Sequence, residues 1–284
     1  MLNIGFIGAG TTGTALAARL DQQGYAIRAA NSRTLSSAQR LADRVENCQV
    51  FENAQQVADN VQLVFITTPD DVIASIAALV KWHPNQYVVH CSGAHSTDVL
   101  EPARASGAKT GGFHPLQTFA DIEQAFNNLP GSTFAIEAEG TLLTILKEMA
   151  MSLKGEIVII KAEDKAVYHA AAVFASNYLV TLVKLATDLW ADFDITRQQS
   201  VKALLPLLRG TLQNIQTIGL PDCLTGPIAR GDLGTISRHL EVLQRENPDI
   251  VNVYKTLGIS TIPIALEKGK INESRASELM SLLK

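Results

Sequence analysis

Along the first 160 residues, short apolar runs alternate with segments whose apolar residues recur at helical spacing. The runs fall at 3–7, 26–30, 49–51, 62–67, 86–91, 109–113, 132–136 and 156–160 and read as buried strands. Strand and helix signals in alternation predict βαβ units around a parallel sheet. After residue 161 the strand signal stops. The segment 163–190 carries apolar residues at helical spacing, and more helices follow. Asp194 or Thr196, Asp232, Asn247 ahead of Pro248, and Asn272 stand where helix N-caps belong. Between them, 219–234 is rich in Gly, Pro and Asp and reads as an ordered loop. The fold class predicted is α/β: a doubly wound, mostly parallel sheet over 1–161, then an all-helical domain over 162–284.

A chain of 284 residues suits two domains. A formal charge of -4 gives no reason to expect nucleic acid or an anionic membrane surface as partner. Cys48, Cys91 and Cys223 are too scattered for a disulfide framework, none forms a CxxC pair, and no metal site is expected. A reducing cytoplasm is the expected location. No basic segment precedes the first strand, and Ser176, Asn177, Thr181 and Lys184 interrupt the apolar stretch 169–186, so neither a signal peptide nor a membrane span is expected.

The first strand leads into Gly8-Ala9-Gly10-Thr11-Thr12-Gly13 and then a helix of small and apolar residues. This is GxGxxG in the setting it requires, the Rossmann-like strand–turn–helix. Its first glycine permits the turn, its second lets backbone approach a pyrophosphate, and its third allows close helix packing. The second strand ends in Ala30-Asn31-Ser32-Arg33-Thr34, without the carboxylate that NAD enzymes offer to ribose. Arg33 can pair with a 2′-phosphate while Ser32 and Thr34 donate hydroxyls, so NADP(H) is expected over NAD(H). Thr67, Thr68 and Pro69 close the fourth strand and are expected along the cofactor. Asp70 or Asp71 reads as the cap of the following helix.

The fifth strand runs into Cys91-Ser92-Gly93-Ala94, where Ser92 and Gly93 are placed to hold a carboxylate or carbonyl, and Cys91 reads as a small buried hydrophobe. The sixth delivers His114, either lining a site or bonded to backbone. Lys165 and His169 lie one helical turn apart, with Ser176 returning near their face and Asn177 beside it. A protonated lysine or an imidazole there is placed to hydrogen-bond a reacting oxygen. Arg230, in the loop 224–232, is the candidate for gripping an anionic substrate, with a surface arginine on a structural turn as the alternative.

These residues resemble the β-hydroxyacid dehydrogenase and ketopantoate reductase superfamily, and more closely its branch with a Rossmann-like domain followed by a helical domain of unknown function. The resemblance covers nearly the whole chain, through 8–13, 91–94, 114–119, Lys165 to His169 with Asn177, and 224–232. It implies substrate binding by Ser92 and Gly93 and catalysis by Lys165 with His169. Two positions depart from the pattern: Ala94 replaces a glycine, and His169 replaces an asparagine. The resemblance further implies reduction of a small 2-oxo acid, with 2-dehydropantoate in pantothenate synthesis as leading substrate, and a homodimer paired through C-terminal helices. A cyclic-imine reductase of the pyrroline-5-carboxylate type, a non-catalytic NADP-binding regulator and a deazaflavin in place of NADP(H) are the alternatives.

Overall fold

A computed structural model describes residues 2–284, Asp192 by its backbone alone. The chain forms two compact units, the first reaching Asn177 and the second running Tyr178–Lys284. In the first, all eight apolar runs are strands: β1 (Asn3–Ile7), β2 (Ala26–Asn31), β3 (Gln49–Val50), β4 (Leu63–Ile66), β5 (Tyr87–His90), β6 (Lys109–Leu116), β7 (Thr133–Glu137) and β8 (Glu156–Ile159). They build one sheet in the order β3-β2-β1-β4-β5-β6-β7-β8. Neighbours are parallel except β6 and β7. Strand order reverses between β1 and β4, which opens a crevice at their carboxyl ends, where sheets of this kind hold ligands.

Side chains alternate between the two faces, and both are buried in β1, β4, β5 and β7, whereas β8, an edge strand that the sequence pattern reads as buried, leaves Val158 and Ile159 46% and 50% exposed. On one face Phe6, Phe65, Phe113 and Phe134 form a row, with neighbouring ring centroids 5.2, 6.0 and 4.7 Å apart. Leu16, Leu20, Leu142 and Leu146 cover it. The other face carries Val64, Ile66 and Val88 beneath Ile73, Leu100 and Ala103.

β6 runs three residues beyond the apolar segment read from sequence. Its last pair with β5 is Gly112 with His90, and beyond that point it pairs with β7. Pro115 is tolerated there because one side of the strand no longer carries a ladder.

The helix Lys165–Ala175 clusters with the sheet, so the compact boundary lies at 177 where the sequence pattern put the domain edge at 161. Ser176 interrupts the helical run, and Asn177–Asp188 continues it. The run Ala162–Asp188 is long and apolar enough to cross a membrane by length and composition, with mean hydropathy 1.4. Its first turn is nevertheless tied to the sheet by an ion pair between Lys165 and Glu137.

The second unit gathers the helices Leu233–Glu246, Pro248–Glu267 and Glu273–Leu283 around Ile236, Ile262, Leu279 and Leu283. Thr196 caps Arg197–Thr217 with a capping box to Gln199, and Asp232 and Asn272 cap their helices by accepting from the Thr235 and Arg275 N–H groups. Asn247 is an N-cap without a side-chain bond, followed by Pro248. Asp194 is not an N-cap but the C-cap of the short helix Ala191–Phe193. It takes a left-handed conformation ahead of Thr196. The 219–234 loop contains one short helix, Pro227–Arg230.

The phenylalanine row bridges the parallel and antiparallel parts of the sheet, so Phe113→Ala should lower the stability of the first unit by about 3–5 kcal/mol. Urea unfolding followed by circular dichroism checks this, with Leu79→Ala at an exposed position staying within about 0.5 kcal/mol of the parent.

Candidate cofactor cleft and active site

Past β1 the chain turns at Gly8, whose φ of +105° strains any residue with a Cβ. A Cβ on Gly8 would stand 2.7 Å from the backbone of Thr67 and Thr68, and one on Gly13 would stand 2.4 Å from Thr67 Oγ1. The turn is pressed against the end of β4, where Thr67 Oγ1 donates to the Gly8 carbonyl at 2.6 Å. Gly10 is the N-cap of Thr11–Gln22 and offers no capping side chain, and the space beside its Cα is open. Such an end binds anions through its unsatisfied donors and the helix dipole.

The adjoining cleft encloses about 1110 Å³ and is lined by Gly8, Gly10, Thr11, Ser32, Arg33, Thr67, Thr68 and Pro69, as the sequence led one to expect. Thr12 and Gly13 lie outside its lining, Gly13 being packed on Thr67. Three further residues from the helix Leu35–Ala42 and its continuation reach the same cleft: Ser37, Arg40 and Arg44. Arg40 and Thr34 both donate to Ser37 Oγ, at 2.9 and 2.8 Å, and Arg44 pairs with Glu123. The carboxylates in the lining, Glu52, Asp121 and Glu123, come from other segments, and none ends β2. Thr68 Oγ1 is buried without a hydrogen-bond partner. An uncapped helix start, a glycine cradle, an unspent hydroxyl and guanidiniums at the end of β2 together fit a phosphorylated dinucleotide.

A second cluster lies across the ends of β5, β6 and β7. Their register aligns His90, Gly112 and Glu137 in one row. Because β7 runs backwards, its last residue arrives where β5 also ends. Gly112 leaves a gap in the row, and a Cβ there would stand 3.2 Å from Lys165 Nζ. Lys165 is 1% exposed, and its ammonium sits 3.8 Å from Glu137 Oε2 and 3.5 Å from the Ser92 carbonyl. Burial lowers the Lys165 pKa from the ordinary lysine value, and the Glu137 charge opposes that fall. Beside it, burial and then Lys165 push His90 down to about 3.

Ser92 is fully engaged. Its Oγ donates to Asp70 Oδ2 at 2.8 Å and accepts from the N–H groups of Ala94 and His95. Asp70 thus braces the Ser92 turn, and Pro69 is the N-cap of Asp70–Leu79, without a side-chain bond from either aspartate. Gly93 is needed for a different closeness. A Cβ there would meet His114 at 2.8 Å and His169 Nδ1 at 3.0 Å. His114 Nδ1 shares a 2.8 Å hydrogen bond with the Tyr168 hydroxyl, ring edge to ring face. Burial first, then Lys165 and His169, push His114 down to about 4, and burial pushes Tyr168 up to about 12. His169 Nδ1 is buried and unpartnered. Burial raises the Cys91 thiol to about 12, which leaves it inert as a nucleophile.

Ser92, Gly93, His114, Lys165 and His169 therefore come together. Asn177 is exposed at the first position of Asn177–Asp188. Arg230 belongs to the second unit, where it lines a pocket of about 300 Å³ with Lys270 and Arg275. Glu137, Tyr168, Asp70 and Arg40 were missed. Glu137 is a charge closing an apolar strand, and Tyr168 adjoins His169; both were visible as oddities without an assigned partner. The cluster offers the neutral imidazole of His114, a second histidine, a phenol and a covered ammonium, groups suited to hydrogen-bonding and charge stabilisation rather than nucleophilic attack.

Residues 1–115 match the family model of a Rossmann-like domain, and 132–261 match that of a domain of unknown function, DUF2520. No curated protein matches the chain. Among solved structures, a candidate NADP oxidoreductase from Bacteroides fragilis is 26% identical, with 92% of this chain and 98% of that one covered and a TM-score of 0.73. A Thermotoga maritima protein is 23% identical, with 97% and 98% covered and a TM-score of 0.70. A pyrroline carboxylate reductase from Plasmodium falciparum, solved with NADP bound, is 15% identical, with 100% and 98% covered and a TM-score of 0.61. The last two likenesses concern the fold alone. The first family match spans β1 to β5 and nearly all of β6; the second begins with β7 and β8 and runs on into the helices that follow.

His90 and His114 are held neutral in the fold, whereas in the unfolded chain they take up protons near the ordinary value of 6.5. The fold has the full benefit above that value and loses stability as pH falls from 6.5 toward 4, because the unfolded chain then binds more protons. The urea midpoint should be lower at pH 5 than at pH 7, and His114→Gln should shrink the difference. A difference unchanged by that substitution would show His114 free to ionise in the fold.

Proposed function

We propose that the chain is an NADPH-dependent reductase that adds hydride to a polar double bond of a small anionic substrate, in the first place the carbonyl of a 2-oxo acid. The observation carrying this reading is the cleft at the β1–β4 crevice, where a glycine turn meets an uncapped helix and Arg33 and Arg40 stand in place of a carboxylate at the end of β2. A 2′-phosphate pairs with guanidiniums and hydroxyls there, and a bare ribose finds no acidic partner. The similarity to proteins described with NADP supports the same choice.

The bound cofactor supplies the hydride. In this reading Thr67, Thr68 and Pro69 hold its nicotinamide half, and Tyr168, His114 and His169 around Gly93 offer hydrogen bonds to the reacting heteroatom. Lys165, behind the Ser92 carbonyl, contributes positive charge toward the developing oxyanion. The resemblance to ketopantoate reductases makes 2-dehydropantoate the first substrate to test. A second reading, reduction of a cyclic imine, rests on the neutral histidines and covered lysine: an iminium arrives with its own proton and asks least of such a site.

We also propose a homodimer. Val167 on Lys165–Ala175 is 75% exposed, and Leu207 and Leu212 on Arg197–Thr217 are 68% and 54% exposed, apolar positions that a second copy would cover. Light scattering on the purified chain should give twice the monomer mass; the monomer mass would remove this proposal.

NADPH should bind more tightly than NADH, and Arg33→Ala should weaken NADPH about 10- to 100-fold while sparing NADH. Equal affinities for the two would remove the 2′-phosphate reading. Oxidation of NADPH with 2-dehydropantoate, compared with cyclic imines, identifies the substrate class, and NADPH binding with inertness to both would favour a non-catalytic role. Lys165→Met should lower turnover about 100-fold or more with NADPH affinity retained.

A further inference from the structure

We infer that Glu137 is a positioning residue, whose carboxylate, hung from Thr97, keeps the Lys165 ammonium charged and in place over Gly112. This rests on the reading of Lys165 as the charge nearest the reacting atoms. The two oxygens of Glu137 have separate tasks. Oε1 accepts from the Thr97 N–H at 2.9 Å and from Thr97 Oγ1 at 2.7 Å. Arg104 in turn donates to the Thr97 carbonyl and hydroxyl, at 3.2 and 3.3 Å, so the fixture reaches a third element. Oε2 is buried, has no hydrogen-bond partner, and has Lys165 Nζ 3.8 Å away.

The other groups facing Lys165 do not replace this carboxylate. Asp70, from Asp70–Leu79, keeps its charge while accepting from Ser92 Oγ, but it forms no ion pair with Lys165 and raises the lysine less than Glu137 does. Cys91, after β5, stays a neutral thiol. His90 on β5 and His114 on β6 are neutral above about 3 and about 4 and add no charge near neutrality. The Ser92 carbonyl is a neutral acceptor at 3.5 Å. A lysine 1% exposed, with so little else to hold its proton, depends on the opposing charge to remain an ammonium. Glu137 reaches it because the antiparallel register of β7 puts residue 137 opposite Gly112.

The test needs neither cofactor nor substrate. The full chain is prepared with lysine labelled at Cε, the Lys165 signal is assigned by its loss in Lys165→Met, and its titration is followed by NMR. Glu137→Gln should move the Lys165 midpoint down by about one pH unit or more. Glu137→Asp, which keeps the charge, should stay near the parent. Thr97→Val, which removes one hydrogen bond from Oε1, should give a smaller shift in the same direction. Equal midpoints in Glu137→Gln and the parent would overturn the inference; if that variant does not fold, an unshifted midpoint in Thr97→Val overturns it. In an active chain the basic limb of kcat/KM should move with the NMR midpoint while NADPH affinity holds. A chain inert toward oxo acids and imines would remove the reductase reading, and a shifted midpoint would still establish that Glu137 governs Lys165.

Discussion

Where β6 runs past the last residue that β5 can pair, it is held by β7 running the other way, and the site at the sheet's edge follows from that pairing. The reversed strand brings its final residue level with His90 and Gly112. A parallel strand in the same place would have offered its first residues to that neighbourhood. The glycine at the centre of the row leaves room for an ammonium, and the helix after β8 supplies one. Register, a missing side chain and a crossover thus create a charged pair that no single segment contains.

The cofactor cleft depends on a different closeness, that of the first turn to the end of β4. Thr67 lies against both outer glycines of the turn, so the end of β4 holds the glycine loop in place. Asp70, three residues on, braces the Ser92 turn. One short stretch, 67–70, therefore links the two halves of the candidate site, and a shift in either half would be felt by the other.

The strands and the glycine turn were legible in sequence because each is a local signal: apolar runs between breakers, and GxGxxG between strand and helix. The caps Thr196, Asp232 and Asn272 were legible for the same reason. The true length of β6 was hidden by His114 and Pro115, which look like loop residues until β7 is alongside. Asp70 read as a helix cap because its partner Ser92 lies 22 residues away. Glu137 was passed over because its meaning depends on Thr97 and Lys165, 40 residues before it and 28 after. Lys165 and His169 were picked out by helical spacing, but spacing does not reveal that the lysine is covered and the histidine is not paired at Nδ1.

The long reach of Lys165 also bears on the order in which the chain can become whole. While β7 is in place and the helix beginning at 165 is not, Glu137 has a hydrogen-bonded oxygen on one side and an uncompensated one on the other. Closing the edge of the sheet then joins segments 28 and 73 residues apart, the Glu137 and Ser92 contacts of a single side chain. Contacts so distant in sequence form late, after the entropy of the intervening loops has been given up. The last strand and the helix after it are in this sense a clasp, and a chain shortened before residue 165 would keep its glycine turn while leaving the edge of its sheet unfastened.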